Sequence, residues 1–194
     1  MSSRDTLPSA NFVLSATALS QVPQDPRPHI VIAGRSNVGK SSLLNALLGQ
    51  KKLARVSATP GRTQALNFFL IDDTYYIVDL PGYGFARAPV AVKDAWGALV
   101  DEYLDTCANV SAALSLLDCR RNPEDEERML WDFFARKNIP FAVVLTKTDK
   151  LGRGALNTAA KLVTETTTAD IIRHSTEHAD GRKELRSWLE RHAR

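Results

Sequence analysis

The stretch Gly34-Arg35-Ser36-Asn37-Val38-Gly39-Lys40-Ser41 has the spacing of a loop that wraps phosphate in main-chain N–H groups. Gly34 and Gly39 permit the sharp turn and close approach. A helix opening near Lys40 would add the positive end of its dipole. Lys40 is placed to neutralise the β- and γ-phosphates, and the Ser41 hydroxyl to bind Mg²⁺. Asp79-Leu80-Pro81-Gly82 closes an apolar run. Its carboxylate suits Mg²⁺ through a water, and the Gly82 N–H suits a γ-phosphate. Thr146-Lys147-Thr148-Asp149 closes another such run. A carboxylate at Asp149 can accept from both N1–H and the exocyclic amine of guanine, a pairing adenine lacks, while the Lys147 stem can lie over the base. Sites built on such hydrogen bonds reject the wrong partner by roughly 10⁴-fold or more. Alone, the last two strings would be read as ordinary turns. In this order after a phosphate loop they describe a site for GTP and GDP.

Two further segments belong with these. His174-Ser175-Thr176 follows the last apolar run and would bring N–H groups near the guanine O6; an ordinary strand-to-loop junction is the competing reading. Thr59-Pro60-Gly61-Arg62-Thr63-Gln64, continuing into Ala65, precedes a strand. Segments of this kind close over a γ-phosphate through a threonine on Mg²⁺ and relax after hydrolysis. Thr63 is the candidate and Thr59 the alternative; Arg62 reaches phosphate or a partner, or is a solvated charge. The candidate catalytic set is therefore Lys40, Thr63 and Gly82, and the metal set Ser41, Thr63 and Asp79. Tyr83 stands where many regulatory GTPases carry a glutamine that orients the attacking water. Even with that glutamine, unassisted turnover is only on the order of 10⁻⁴ to 10⁻² s⁻¹, so slow intrinsic hydrolysis and a need for a partner or added positive charge are expected.

The elements that must position these residues alternate in character. His29 to Ala33 is a short branched apolar run ahead of the phosphate loop. Leu43, Leu44, Leu47 and Leu48 then recur at helical spacing up to Gly49, a C-cap residue. Leu66 to Ile71 and Tyr75 to Val78 flank Asp72-Asp73-Thr74 as a hairpin. Val90 to Thr106 puts Val92, Trp96, Leu99, Val100 and Tyr103 on one helical face. Ala112 to Leu117 and Phe141 to Leu145 are continuous apolar runs, as in strands covered on both faces. Between them a helix is predicted with Asn122 as N-cap, Pro123 at its first position, Glu124 to Glu127 at its positive end, and Leu130, Phe133 and Phe134 buried. A helix from Ala155 to Thr166, a strand Asp170 to Arg173 and a helix Lys183 to Arg191 follow. The pattern predicts a three-layer α/β fold: a doubly wound, mostly parallel sheet with helices on both sides. Residues 1–11 read as a loose tail and 12–194 as one domain. Phe12 to Leu14 form a short added strand, and Pro23 to Pro28 a connector that cannot be helical.

A chain of 194 residues suffices for one well-packed core. Its net charge of +3 permits a polyanionic partner without requiring one. Cys107 and Cys119 lack disulfide-framework or zinc spacing and are expected to be free thiols. The first residues carry no apolar leader, and no run approaches the roughly 20 apolar residues of a membrane span. A cytoplasmic monomer is expected.

Several strings are more particular than a generic phosphate loop: Gly34 to Leu43, Thr59 to Gln64 followed by Asn67-Phe68-Phe69, Asp79-Leu80-Pro81-Gly82-Tyr83-Gly84-Phe85-Ala86, and Asp118-Cys119-Arg120. Together they resemble the EngB-type GTPases, ribosome-assembly factors among the Era/TrmE-like GTPases, over nearly the whole chain. The resemblance implies a one-domain GTPase acting on the large ribosomal subunit precursor (rRNA and ribosomal proteins) late in assembly, with a link to cell division and septation. It also implies that Asn37 helps hold K⁺ in place of an arginine finger; bracing of the phosphate loop is the competing reading. Two positions depart from the family: His174 stands where an apolar residue is more usual, and Arg121 where histidine is frequent. Basic residues Lys51, Lys52, Arg55, Arg62 and Arg87, with Arg182, Lys183, Arg186, Arg191 and Arg194 along the last helix, would suit a phosphate-rich partner. A GTP-dependent module of the division apparatus without ribosome binding is the alternative. A P-loop kinase or ATPase is disfavoured by Asp149, and a tRNA-modification G domain by chain length.

Overall fold

The computed structural model describes residues 9–49, 65–83, 90–178 and 181–194, with backbone alone for 90–96. Seven strands form one sheet: β1 (Ala10–Ala16), β2 (His29–Gly34), β3 (Leu66–Ile71), β4 (Tyr75–Asp79), β5 (Val110–Asp118), β6 (Phe141–Thr146) and β7 (Asp170–Arg173). Their spatial order is β1-β3-β4-β2-β5-β6-β7. The pairs from β4 through β7 are parallel; β1 and β3 add an antiparallel edge.

The helices are α1 (Lys40–Leu48), α2 (Val90–Thr106), α3 (Asp125–Arg136), α4 (Arg153–Thr166) and α5 (Arg182–His192). Side chains along β2 alternate between the two faces of the sheet, as the pleat requires. Ile30 and Ile32 pack with Leu43, Leu44 and Leu47 of α1 and Leu185 and Trp188 of α5. Val31 and Ala33 pack with Val100, Tyr103 and Leu104 of α2 and Phe134 of α3. Trp131 of α3 joins Ala160 and Val163 of α4 over β5 and β6. The sheet is thus covered by α1 and α5 on one face and by α2, α3 and α4 on the other, which is why β5 and β6 are apolar without alternation.

The expected elements are present, with three differences. β1 begins at Ala10, which is buried, and runs for seven residues because it pairs along β3 from Ala10↔Ile71 to Ala16↔Leu66. The strand therefore takes in the last two residues expected in the tail. The α3 N-cap is Glu124, not Asn122, and Pro123 precedes the helix. There Glu127 reaches back to accept the Glu124 N–H at 2.9 Å, and this reciprocal arrangement overrides the Asn-Pro signal. The buried side of α3 is Glu127, Trp131 and Phe134, while Leu130 and Phe133 are only partly buried.

Cys107 and Cys119 are free, and no helix among the described residues is long and apolar enough to cross a membrane. Of the basic residues on and just after α5, Lys183, Arg191 and Arg194 are exposed, whereas Arg182 and Arg186 are half-buried. Lys51, Lys52, Arg55, Arg62 and Arg87 lie outside the described residues.

Candidate nucleotide-binding site

The phosphate loop leaves β2 where successive strands switch from one side of it to the other, the position at which open α/β sheets hold ligands. Asn37 takes φ 63°, which asparagine tolerates, and Gly39 takes φ 112°, where a side chain is strained. Gly39 precedes α1 with no side-chain cap, so the first-turn N–H groups of this nine-residue helix are available to an anion. Ser41 is exposed on that turn. The Lys40 ammonium donates to the Gly34 carbonyl at 3.2 Å. Burial lowers its pKa, and nearby Asp79 works the other way.

Asp79 ends β4 beside Ile32 of β2 and Asn67 of β3. Burial pushes its carboxyl up to about 6, against the opposing effects of Lys40 and a hydrogen bond from Asn67. Asn67 is itself oriented by Ser15, whose hydroxyl donates to Asn67 Oδ1 at 2.7 Å. Asp79 Oδ1 is buried with no hydrogen-bond partner among the described residues. A buried acceptor left open is costly in a purely structural role and fits a metal-bound water. Leu80 is buried, with its N–H donating to Ile32 at 3.0 Å, and carries the chain through Pro81 to Gly82. A Cβ on Gly82 would stand 3.0 Å from Lys40 Nζ and 3.2 Å from the Ser36 nitrogen, so this backbone runs close against the phosphate loop.

The base-reading loop is tied to the phosphate loop from the opposite side. Thr146 Oγ1 donates to the Val38 carbonyl at 2.7 Å, and Lys147 Nζ donates to the Asn37 carbonyl at 2.8 Å. The Lys147 stem consequently spans the gap between the two loops. Lys147 has φ 58°, and Asp118, aligned with Thr146 across β5 and β6, pairs with its ammonium at 3.0 Å. Arg120 grips the same carboxylate at 2.7 Å. Chiefly through that contact, and through Lys147, the Asp118 carboxyl is held well below the usual carboxylate range.

Asp149 Oδ1 accepts from the Ser175 hydroxyl at 2.8 Å, and Lys150 lies 2.9 Å from Oδ2. Lys150 first, then Ser175, lowers the Asp149 pKa. His174 and Ser175 are buried: the His174 N–H donates to Leu145 at 2.8 Å, and its carbonyl accepts from Thr148 at 3.4 Å. Thr176 is exposed beside them. The structure therefore gathers Gly34 to Ser41, Asp79 to Gly82, Thr146 to Asp149 and His174 to Thr176 at one edge of the sheet. Ala65 lies just ahead of β3, while Thr59, Gly61, Arg62, Thr63 and Gln64 lie outside the described residues.

Sequence reasoning gave no site role to Asp118 or Asn67, and read Glu127 only as negative charge at the start of a helix. Asp118 carried a signal, an acid closing a mostly apolar strand at the same level as Thr146.

Substituting Thr146 with valine should lower unfolding free energy by about 1–3 kcal/mol, because the buried Val38 carbonyl loses its side-chain donor. GDP affinity should fall with it, as the two loops lose their tie. Urea unfolding and a GDP titration of the same sample check both, and an unchanged GDP affinity would show that the tie serves stability alone.

A Gly-rich loop at a switch point, a carboxylate-led turn against it and a guanine-type loop beside it define a GTP-hydrolysing protein of the P-loop class. The family model described as 50S ribosome-binding GTPase matches residues 29–147. The probable GTP-binding protein EngB of Caldanaerobacter subterraneus subsp. tengcongensis is 48% identical over 150 residues, covering 77% of each chain. That of Geobacillus thermodenitrificans is 42% identical, covering 90% of this chain and 92% of the relative. The chain belongs to the EngB family of GTP-binding proteins.

Solved structures share the fold. A probable GTP-binding protein EngB superposes with TM-score 0.70 at 23% identity, covering 84% of this chain and 97% of that one. Era in complex with MgGDPNP and nucleotides 1506–1542 of 16S ribosomal RNA gives 0.62 at 24%, covering 86% of this chain and 57% of Era.

Proposed function

We propose that this GTPase is an assembly switch for the large ribosomal subunit, with Gly82 as its γ-phosphate sensor. The observation that carries the switch is the closeness of Gly82 to Lys40 and Ser36: a group bound between Lys40 and Gly82 must shift the ammonium or that backbone. The 50S ribosome-binding description of the family model supports the ribosomal target, and the fold relative Era holds 16S ribosomal RNA. The requirement in cell division that the resemblance implies is then downstream of ribosome supply.

The phosphate-loop N–H groups and the first turn of α1 hold the α- and β-phosphates, and Lys40 bridges β to γ. Ser41 and Asp79, with Thr63, would hold Mg²⁺, which supplies charge neutralisation on the β- and γ-phosphates. The open Oδ1 of Asp79 suits that role. Asp149 reads the guanine edge, Lys147 covers its face, and of His174 to Thr176 the Ser175 and Thr176 N–H groups face O6, the His174 N–H being held by Leu145. Gly61 to Ala65 close over the γ-phosphate. Tyr83 cannot orient water as an amide would, so hydrolysis depends on the target and on K⁺ held with the help of Asn37.

GTP turnover by purified protein should therefore rise on adding immature large subunits, more in K⁺ than in Na⁺, and stay low with mature subunits. Equal rates with and without particles, at intact GTP binding, would remove the ribosomal assignment. Equal rates in the two salts would remove K⁺.

A further inference from the structure

The end of β5 holds Lys147 by its head and by its backbone. Asp118 is buried and closes that strand in register with Thr146 of β6, and its Oδ2 lies 3.0 Å from the Lys147 ammonium. The carboxylate is itself clamped. Arg120 donates from Nη2 to Oδ2 at 2.7 Å, from Nε to Oδ1 at 2.9 Å, and from its backbone N–H to Oδ1 at 3.1 Å. A forked guanidinium fixes both oxygens at once, so the acceptor offered to Lys147 does not swing. One residue on, the Cys119 N–H donates to the Thr146 carbonyl at 3.1 Å and the Cys119 thiol to the Lys147 carbonyl at 3.3 Å. The Lys150 N–H donates to that same carbonyl at 2.9 Å. These contacts hold Lys147 at φ 58°, a left-handed conformation that L-residues avoid.

The Lys147 side chain is one-third exposed, and a lysine has more rotamer freedom to lose than most residues. Its partner on the phosphate loop, the Asn37 carbonyl at 2.8 Å, is neutral, and water replaces such an acceptor at little cost. A buried carboxylate facing an ammonium is a charge-assisted partner, roughly twice as strong. Arg120 first, then Lys147, hold the Asp118 carboxyl well below its usual range, so this partner stays ionised at neutral pH. Asp118 is therefore the fixed point that keeps the stem stretched from the base-reading loop to the phosphate loop.

We propose that Asp118 is a positioning residue for guanine-nucleotide binding: it sets Lys147 across the gap between the two loops before the base arrives. A lysine ordered in advance spares the complex the entropy of ordering it on binding. The inference rests on Lys147 covering the face of the base. Because Lys147 meets the face and Asp149 the edge, Asp118 governs affinity and leaves discrimination along the edge unchanged.

The test is a set of GDP and IDP affinities for wild type, Asp118→Asn, Lys147→Ala and the double variant. IDP lacks the exocyclic amine, so the ratio of the two affinities reports the contact to Asp149. Asp118→Asn should weaken both nucleotides by about ten- to thirtyfold, the cost of ordering one lysine side chain, at an unchanged ratio. In the double variant the asparagine should cost no more than about twofold beyond Lys147→Ala alone, since the side chain it positions is gone. A purely structural role would lower affinity equally with and without Lys147, so additive losses overturn the proposal. Unchanged GDP affinity in Asp118→Asn, or a shifted ratio that places the effect on Asp149, overturns it as well. Melting curves report folding. If the asparagine variant does not fold, Asp118→Glu, which keeps the charge and moves it by one methylene, enters the same cycle with the same criteria. A Lys147→Ala variant that binds GDP as wild type does would instead strike at the reading of Lys147 on which the inference rests.

Discussion

Replacing Asp149 with asparagine should weaken GTP binding by at least about a thousandfold and raise the affinity for xanthine nucleotides. Guanine presents two donors on the edge this residue reads, and a carboxylate has two acceptors to meet them. The carboxylate is already oriented, with Oδ1 held by the Ser175 hydroxyl at 2.8 Å. In the variant the amide oxygen keeps that hydroxyl bond, which turns the NH₂ group toward the base. Two donors then face each other, and a polar group in a closed site loses its partner. That mismatch is the kind that yields discrimination of roughly 10⁴ or more in hydrogen-bonding pockets. Xanthine carries a carbonyl where guanine carries its amine, so the same NH₂ finds an acceptor. Loss of the Lys150 pairing adds little, because that ammonium is largely solvent-exposed. Titrating GDP and XDP against both proteins decides it: a variant that keeps GDP within tenfold of wild type would remove Asp149 from base recognition.

The expected switch in specificity comes from residues that were legible in order along the chain, and the reason is local. A phosphate loop, a strand-closing Asp-x-Pro-Gly and a Thr-Lys-x-Asp each sit at the end of an apolar run, and parallel strands bring such ends to one edge. β5 and β6 were legible for the same reason, since strands covered on both faces read as nearly continuous apolar runs, with the small buried Ser115 the exception inside β5. What no local pattern encodes is the stitching between the loops. Lys147 and Asn37 are 110 positions apart, and only the assembled sheet places them within 2.8 Å. Glu127 shows the opposite failure. A charged residue in a helix's first turn reads as solvent-exposed, yet here it is buried, its Oε2 accepting the Glu124 N–H. The α3 start was misplaced because Asn122-Pro123 is a sound local signal that lost to a cap two residues on.

Substituting Gly181 with alanine is expected to lower stability by about 3 kcal/mol or more and to weaken guanine-nucleotide binding as a consequence. Gly181 caps α5 at φ 73°, a conformation costing an L-residue about 1–2 kcal/mol by itself. The larger cost is steric: an added Cβ would fall 1.7 Å from the Arg173 carbonyl oxygen and 3.4 Å from the His174 Cα. Neither is the end of a flexible side chain, so the backbone after β7 must move away from α5. That movement separates Leu185, Trp188 and Leu189 from their places in the core. It also pulls on His174 and Ser175, whose backbone contacts to Leu145 and Thr148 and hydroxyl bond to Asp149 set the base-reading loop. For a chain of this length the stability loss corresponds to a melting temperature lower by about 6–12 °C. Below that transition, GDP affinity of the folded variant should still fall, because the displaced segment is the one that orients Asp149. Thermal melts with and without saturating GDP separate the two effects. A variant that melts early yet gains the full stabilisation that GDP gives wild type would confine Gly181 to docking α5, whereas a reduced gain shows that the cap of the last helix reaches the base through Arg173, His174 and Ser175.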